Sequence, residues 1–304
     1  MNITAVERDT GLSKDTLRVW ERRYGFPSPD RDLTGQRVYT PGDVEKLRLA
    51  KRLLDHGYRP GKILKLPPER LLEMADAARP RPGDGTEGPH DSADVDLLLG
   101  LVQTHRVEEL RRQLGQALLR LGLAPFLAGV IAPLNARVGE AWSRGRLEIF
   151  EEHLYSETVQ AIVRNATAAI PRPGLNPPRV LLTTFPGESH SLGLLMAEAF
   201  FALEGCRCLS LGVQTPVRDI VSAALKKKVD IVALSFSAAM NANHTVHGLG
   251  ELRACLPPEV AVWVGGNCAI LERRPIDGVM RLRALTEIGP ALQRWRRQRD
   301  SGAT

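Results

Sequence analysis

The chain has few of the features that would make it a membrane, secreted or disulfide-built protein. No uninterrupted apolar run approaches the ~20 residues that a membrane-spanning helix needs. The first residues carry Glu7, Arg8 and Asp9 and no apolar segment with a cleavage site, so a cytoplasmic location is expected. Cysteine is scarce: Cys206, Cys208, Cys255 and Cys268 are too few and too irregularly spaced for a zinc site or a disulfide framework. Cys206 and Cys208 read as sharing one face of a strand, in the core. Aromatic residues make up only 5%. The Gly-x-Gly-x-x-Gly dinucleotide fingerprint is absent where a strand first turns into a helix, which argues against a nicotinamide or flavin dehydrogenase. What remains is a soluble composition, 43% apolar over 304 residues, with net charge +6 and pI about 9.3. That length allows two or three domains, and that charge is compatible with a polyanionic partner.

Ile3 to Gly11 and Lys14 to Tyr24 read as two short helices around the turn Thr10-Gly11-Leu12-Ser13, with Ser13 placed to cap the second. Helix, tight turn, helix is the spacing of a DNA-binding helix-turn-helix. Leu17 and Trp20 share a face that packs inward, leaving Lys14, Arg18, Arg22 and Arg23 for phosphates. A solvated basic helix would carry the same residues. Gly25-Phe26-Pro27-Ser28-Pro29 ends the helix, Arg31 to Tyr39 has the composition of a small hairpin, and Pro41-Gly42-Asp43 opens a third helix running to about Gly57. This order, with Thr16-Leu17-Arg18, Trp20 to Gly25, Pro29, Arg31, Gly35, Arg37, Tyr39 and Asp43, resembles the winged helix of the MerR family over roughly residues 1 to 75. The resemblance implies DNA binding through Lys14, Thr16, Arg18, Arg22, Arg23, Arg31, Arg37 and Tyr39. A long coiled-coil helix normally follows in that family. Here Arg79 to Pro89 is rich in proline and glycine, so oligomer contacts are expected further along.

From Asp94 to about Ala169 the pattern is helical. Leu97–Gln103, Val107–Leu121, Pro125–Arg144 and Ile149–Ala168 make a four-helix bundle. A second proline-rich linker leads to alternating strands and helices, hence a doubly wound parallel sheet. The expected strands are Arg179–Thr184, Arg207–Leu211, Asp230–Phe236, Val260–Val264 and Gly278–Leu282. The fold class is therefore multidomain: an all-α winged-helix head (1–78), a linker (79–93), a four-helix bundle (94–170), a linker (171–178) and an α/β, flavodoxin-like (Rossmann-like) domain (179–304).

The first βα turn of that last domain holds Glu188-Ser189-His190-Ser191-Leu192-Gly193, at the edge where α/β sheets bind ligands. His190 can ligate a metal through one ring nitrogen while Glu188 holds the other, and Gly193 lets backbone pass close to a bulky group. A surface histidine on an ordinary loop has the same local sequence. A helical bundle followed by this domain resembles the cobalamin-binding module of methionine synthase and its relatives, whose acidic-x-His-x-x-Gly motif is matched by Glu188, His190 and Gly193. Ser235 and Ser237 stand where that family has a serine-containing turn after the third strand. Gly265 and Gly266 stand at its glycine pair after the fourth strand, a pair that also suits an ordinary turn.

The resemblance implies that His190 is the lower cobalt ligand and that Ser235 and the glycines leave room for the cofactor's nucleotide tail. Trp142, Glu152 and His153 resemble the tryptophan, nine-residue gap and Glu-His pair of the CarH-type light-dependent repressors, which join a MerR head to this module. That implies Trp142 and Glu152 around a 5′-deoxyadenosyl group, although Trp142 also suits a bundle core. Some members place a histidine directly after the tryptophan as a ligand of the lit state. Ser143 stands here, so water or another residue such as His153 would serve.

The expected function is a DNA-binding repressor, not an enzyme, whose oligomeric state (dimer or tetramer) and DNA affinity are set by adenosylcobalamin and light. Two other readings stay open. A light-blind regulator binding another tetrapyrrole, or none, is told apart by its absorption spectrum. A corrinoid-dependent methyl carrier is told apart by a methyl-transfer assay and has no use for a winged helix.

Overall fold

Ser13 starts the second helix of the head by turning extended and accepting a hydrogen bond on its side chain from the Thr16 amide, 3.1 Å away. That helix, α2 (Lys14–Tyr24), follows α1 (Ile3–Thr10) and ends at Gly25, which takes the left-handed conformation at φ 68°. Leu17 and Trp20 are buried with Val6, Leu47 and Leu53. Two short strands, β1 (Asp30–Arg31) and β2 (Arg37–Val38), pair antiparallel as the wing. Reciprocal bonds between Thr40 and Asp43 box the start of α3 (Pro41–Asp55). Two further helices, α4 (Pro60–Ile63) and α5 (Pro68–Ala77), place Ile63 and Leu71 in the same core. Sequence reading assigned no element to either.

This computed structural model describes the chain except for residues 11, 33, 56–57, 78–90, 172–177, 239 and 302–304. Gly11 of the turn, Gly57 at the expected end of the third helix, and most of both expected linkers lie outside the described residues. Contacts divide the chain into two units, Met1–Glu87 with Gly139–Ile149, and Gly88–Val138 with Phe150–Thr304.

The helical region comprises α6 (Asp91–Gln103), α7 (Val107–Leu121), α8 (Leu123–Phe126), α9 (Ala132–Ser143) and α10 (Ile149–Ala168). The third expected helix, Pro125 to Arg144, is interrupted by a π-helical turn at Leu127–Ile131, where the Ala132 amide bonds back to the Leu127 carbonyl. Pro133 accounts for this: it has no amide to give the Gly129 carbonyl and its ring crowds that oxygen, so the ladder shifts by one residue.

In the α/β domain the elements run β3 (Arg179–Thr183), α11 (Leu192–Leu203), β4 (Arg207–Gly212), α12 (Val217–Lys227), β5 (Ile231–Ser235), α13 (Ala242–Cys255), β6 (Ala261–Gly265), α14 (Ile270–Arg273), β7 (Val279–Arg281) and α15 (Ile288–Ser301). The five strands are parallel in the order β4-β3-β5-β6-β7. β3, β5 and β6 are almost wholly buried apolar runs, as a sheet covered on both faces requires. The chain leaves β3 toward β4 on one side and returns to β5 on the other, so the switch point lies between the ends of β3 and β5. Cys206 is buried just ahead of β4, and Cys208, within the strand, is half-buried.

Candidate metal centre and nucleic-acid interface

The loops after β3 and β5 meet at that switch point. Glu188 is 1% exposed. Its Oε1 accepts from the His190 amide at 3.0 Å and lies 2.6 Å from His190 Nδ1, while its Oε2 accepts from the Ser237 amide at 2.6 Å. Ser237 Oγ is 3.1 Å from the same ring nitrogen. Burial alone pushes the Glu188 carboxyl up. The hydrogen bond and charge of His190 and the two backbone amides outweigh it and hold the group below its ordinary value of 4.5. The result is a buried carboxylate that fixes an imidazole whose side chain is 62% exposed. With Nδ1 committed to Glu188, a metal would be taken by Nε2.

The loop itself is held from below. Thr184 is fully buried, donates its hydroxyl to the Glu188 carbonyl at 2.7 Å and accepts from the Gln214 amide at 2.8 Å. Phe185 and Phe236, the residues beneath the two loops, meet edge to face with centroids 5.3 Å apart. The sequence signal for this support was the buried Thr183-Thr184 pair ending an apolar strand, and it was not used.

The other expected residues of this loop cluster have separate roles. Ser235 faces Gly193, where an added Cβ would lie 2.9 Å from its hydroxyl, so Gly193 is what lets α11 approach β5. The serine joined to the His190–Glu188 pair is Ser237, one full strand period on. Gly266 has φ +103°, and a Cβ there would come within 2.1 Å of the Phe236 carbonyl oxygen. Its glycine is demanded by the fold itself, ligand or no ligand. Gly265 is roomier, with the Leu282 carbonyl 3.6 Å from such a Cβ.

Trp142 is half-buried in the last turn of α9, and the Ser143 side chain lies outside the described residues. Glu152 and His153 are in the first turn of α10. Glu152 accepts from Ser156 Oγ at 2.5 Å, and the exposed His153 ring is 3.8 Å from Glu152. One turn further, the buried Tyr155 hydroxyl donates to Asn135, whose amide reaches Met196 Sδ of α11 at 3.5 Å. Burial pushes the Tyr155 phenol up, so it stays a donor. His105, between α6 and α7, contacts the buried Glu151 at 2.6 Å. Sequence reading missed Tyr155, Asn135, His105 and Glu151, which lie far apart in the chain.

In the head, Arg22 and Arg23 are exposed on α2, with Arg23 over the Tyr24 ring. Arg18 pairs with Asp15 at 3.3 Å on the surface. Lys14 pairs with Glu7 at 3.5 Å, and Thr16 Oγ1 is 2.8 Å from Ser13 Oγ. Arg31 donates to the Gly35 carbonyl at 2.9 Å, inside the wing. Arg37 is bound to Glu21 through Nε at 2.7 Å and Nη2 at 3.3 Å, fastening the wing to α2. Tyr39 departs from expectation. It lies just past β2, is 1% exposed and belongs to the head's core with Val6, Leu17, Trp20 and Leu47, so it offers no side-chain surface to DNA. Asp9, 3% exposed, grips Arg48 with both oxygens at 2.7 and 3.0 Å and ties α1 to α3.

Residues 1–68 match the family model described as MerR HTH family regulatory protein, and residues 95–166 and 178–280 match two models described as B12 binding domain. The HTH-type transcriptional repressor CarH of Myxococcus xanthus is 33% identical over 263 residues, covering 85% of this chain and 86% of that protein. The HTH-type transcriptional repressor CarA of the same organism is 30% identical over 268 residues, covering 86% and 85%. Among solved structures, the Methanosarcina barkeri monomethylamine corrinoid protein aligns with TM-score 0.55 and 15% identity over 66% of this chain and 98% of that one, a likeness of fold alone. No described helix is long and apolar enough to cross a membrane.

Proposed function

The chain belongs to the CarH/CarA family of HTH-type transcriptional repressors, and from that premise we propose that it is a cobalamin-dependent repressor whose cofactor is adenosylcobalamin and whose signal is light. The observation that carries the reading is the buried Glu188 carboxylate holding an exposed His190 ring at the sheet's switch point. The donor set fits a corrinoid: one imidazole nitrogen for the lower face of cobalt, with no second protein ligand needed where four come from the ring.

His190 would bind cobalt, and Glu188 and Ser237 would fix its orientation. On the family resemblance, Ser235 and the glycine pair Gly265-Gly266 would border the nucleotide tail. Trp142, Glu152 and His153 are carried as candidates for the upper face on family resemblance. Adenosylcobalamin supplies a cobalt–carbon bond that light breaks. The protein's part is to bind, orient and translate: ordering of the α9–α10 region in the dark would build an assembly surface, and several tethered heads would then share one operator. The head would meet phosphates through Arg18, Arg22 and Arg23, with Arg31 and Arg37 setting the wing. We propose no catalysis; the presence of a winged helix favours a regulator over a methyl carrier.

The test is the absorption spectrum of the full chain with adenosylcobalamin in the dark. The parent should show a histidine-ligated, benzimidazole-displaced cofactor. His190→Ala should bind far more weakly and show a base-off spectrum. Unchanged affinity with a benzimidazole-ligated spectrum in the variant would reject the assignment.

A further inference from the structure

The positive charge is not concentrated in the head. Residues 179–304 hold 15 Lys and Arg against 11 Asp and Glu, whereas residues 1–78 hold 15 against 12. Much of the α/β domain's excess lies at the edge of the sheet opposite the His190 loop, where the parallel strands begin. Arg179 and Arg207 are register partners on neighbouring strands, so two like charges start side by side. The exposed run Lys226-Lys227-Lys228 closes α12 beside them, and the Arg179 guanidinium donates to the Lys227 carbonyl at 3.3 Å. The C-terminal part of α15 arrives at the same edge: Arg296 donates to the Glu204 carbonyl at 2.7 Å and Arg299 pairs with Asp230.

Local stability does not account for this concentration. Cations in the last turn of α12 complement its dipole, which explains Lys226 and Lys227. Lys228 lies past the helix end at φ 50°, a left-handed position where glycine is the relaxed choice. The described carboxylates at this edge are Glu204, Glu259 and Asp230, and Asp230 is already engaged by Arg299 and by the Arg179 amide. Several like charges on one rim repel each other unless a polyanion meets them.

We propose that this edge is a second, sequence-independent contact for the phosphate backbone of duplex DNA, so that the cofactor domain grips the DNA that the head reads. The proposal rests on the repressor reading above. Phosphate contacts position without specifying, so they should show in salt dependence and not in operator preference.

The test uses the full chain with adenosylcobalamin, in the dark, on operator and non-operator duplexes across a salt series. In K226Q/K227Q/K228Q the slope of log K against log salt should become shallower by about 2 to 3, at ~0.9 per phosphate contact. The ratio of operator to non-operator affinity should stay within about twofold. The charge-preserving K226R/K227R/K228R should keep the parent slope. An unchanged slope in the glutamine variant overturns the proposal. So does a lowered slope that the arginine variant shares, since the effect would then be structural, or a loss of assembled mass at an unchanged slope, which would make the edge a contact between copies. Arg18→Gln, measured in parallel, separates the two levels: if it too is silent, the head's DNA-binding reading fails on its own account.

Discussion

His190 Nδ1 stands 2.6 Å from Glu188 Oε1, pairing a ring that is mostly exposed with a carboxylate that is almost wholly buried. The pair therefore depends on Glu188 staying ionised. Its folded pKa is held below the ordinary 4.5, so the stability it contributes is fully present above that value and is lost as pH falls through the folded value. Glu188→Gln should cost about 1 to 3 kcal/mol at neutral pH. It should also flatten the acid side of the melting-temperature profile below pH 4.5 relative to the parent. Parallel profiles would mean that this carboxylate contributes no acid dependence.

Gly266→Ala and Gly193→Ala separate backbone demand from side-chain crowding. At Gly266 the obstruction is the Phe236 carbonyl at 2.1 Å with φ at +103°, so alanine should cost about 3 kcal/mol or more in denaturant melts. At Gly193 the obstruction is the Ser235 hydroxyl at 2.9 Å. Its cost should be smaller, about 1 kcal/mol, and should vanish in a Ser235→Ala background, where alanine gains helix propensity. Equal costs in both backgrounds would place the strain elsewhere.

Arg18 and Arg37 should behave differently in the head although both are basic residues lining one open depression with Glu21 and Arg22. Arg18→Gln removes a surface charge and should weaken binding to all DNA alike, lowering the salt slope by about one. Arg37→Gln also breaks the bond to Glu21. Because both partners are about a quarter exposed, at 26% and 29%, the head should lose about 0.5 to 1 kcal/mol in addition. A thermal melt of each variant beside its salt series distinguishes the two; equal stability would deny Arg37 its role in fastening the wing.

Periodicity made the five strands and the helices between them legible, because buried apolar runs alternating with amphipathic ones admit few other readings. Capping chemistry did the same for α2, where Ser13 precedes Lys14. The short helices α4 and α5 were hidden by Pro60, Pro67 and Pro68, which break the apolar rhythm even though two of them open helices. The π turn at Leu127–Ile131 was hidden because Pro133 was read as an ordinary helical residue. In the site, the Glu188-x-His190 spacing was readable because both partners lie on one loop. The Ser237 contact was assigned no partner because it depends on which strand lies next to β3, and the Tyr155–Asn135–Met196 chain joins three separate helices. Tyr39 was placed at the DNA by family position alone; its burial comes from packing against residues of α1, α2 and α3, which lie apart in the sequence.

Central to the account is control of assembly, and through it of DNA affinity, by the bound cofactor. The most direct measurement is the mass of the full chain with adenosylcobalamin by size-exclusion chromatography with light scattering, taken in the dark and again after illumination, with operator binding followed on the same sample. The account predicts an oligomer in the dark that binds operator at least about a hundredfold more tightly than the lit protein, since tethered heads gain from effective concentration. If the spectrum reports photolysis while mass and affinity both stay unchanged, cobalamin is not the switch that controls assembly and a light-blind regulator takes its place.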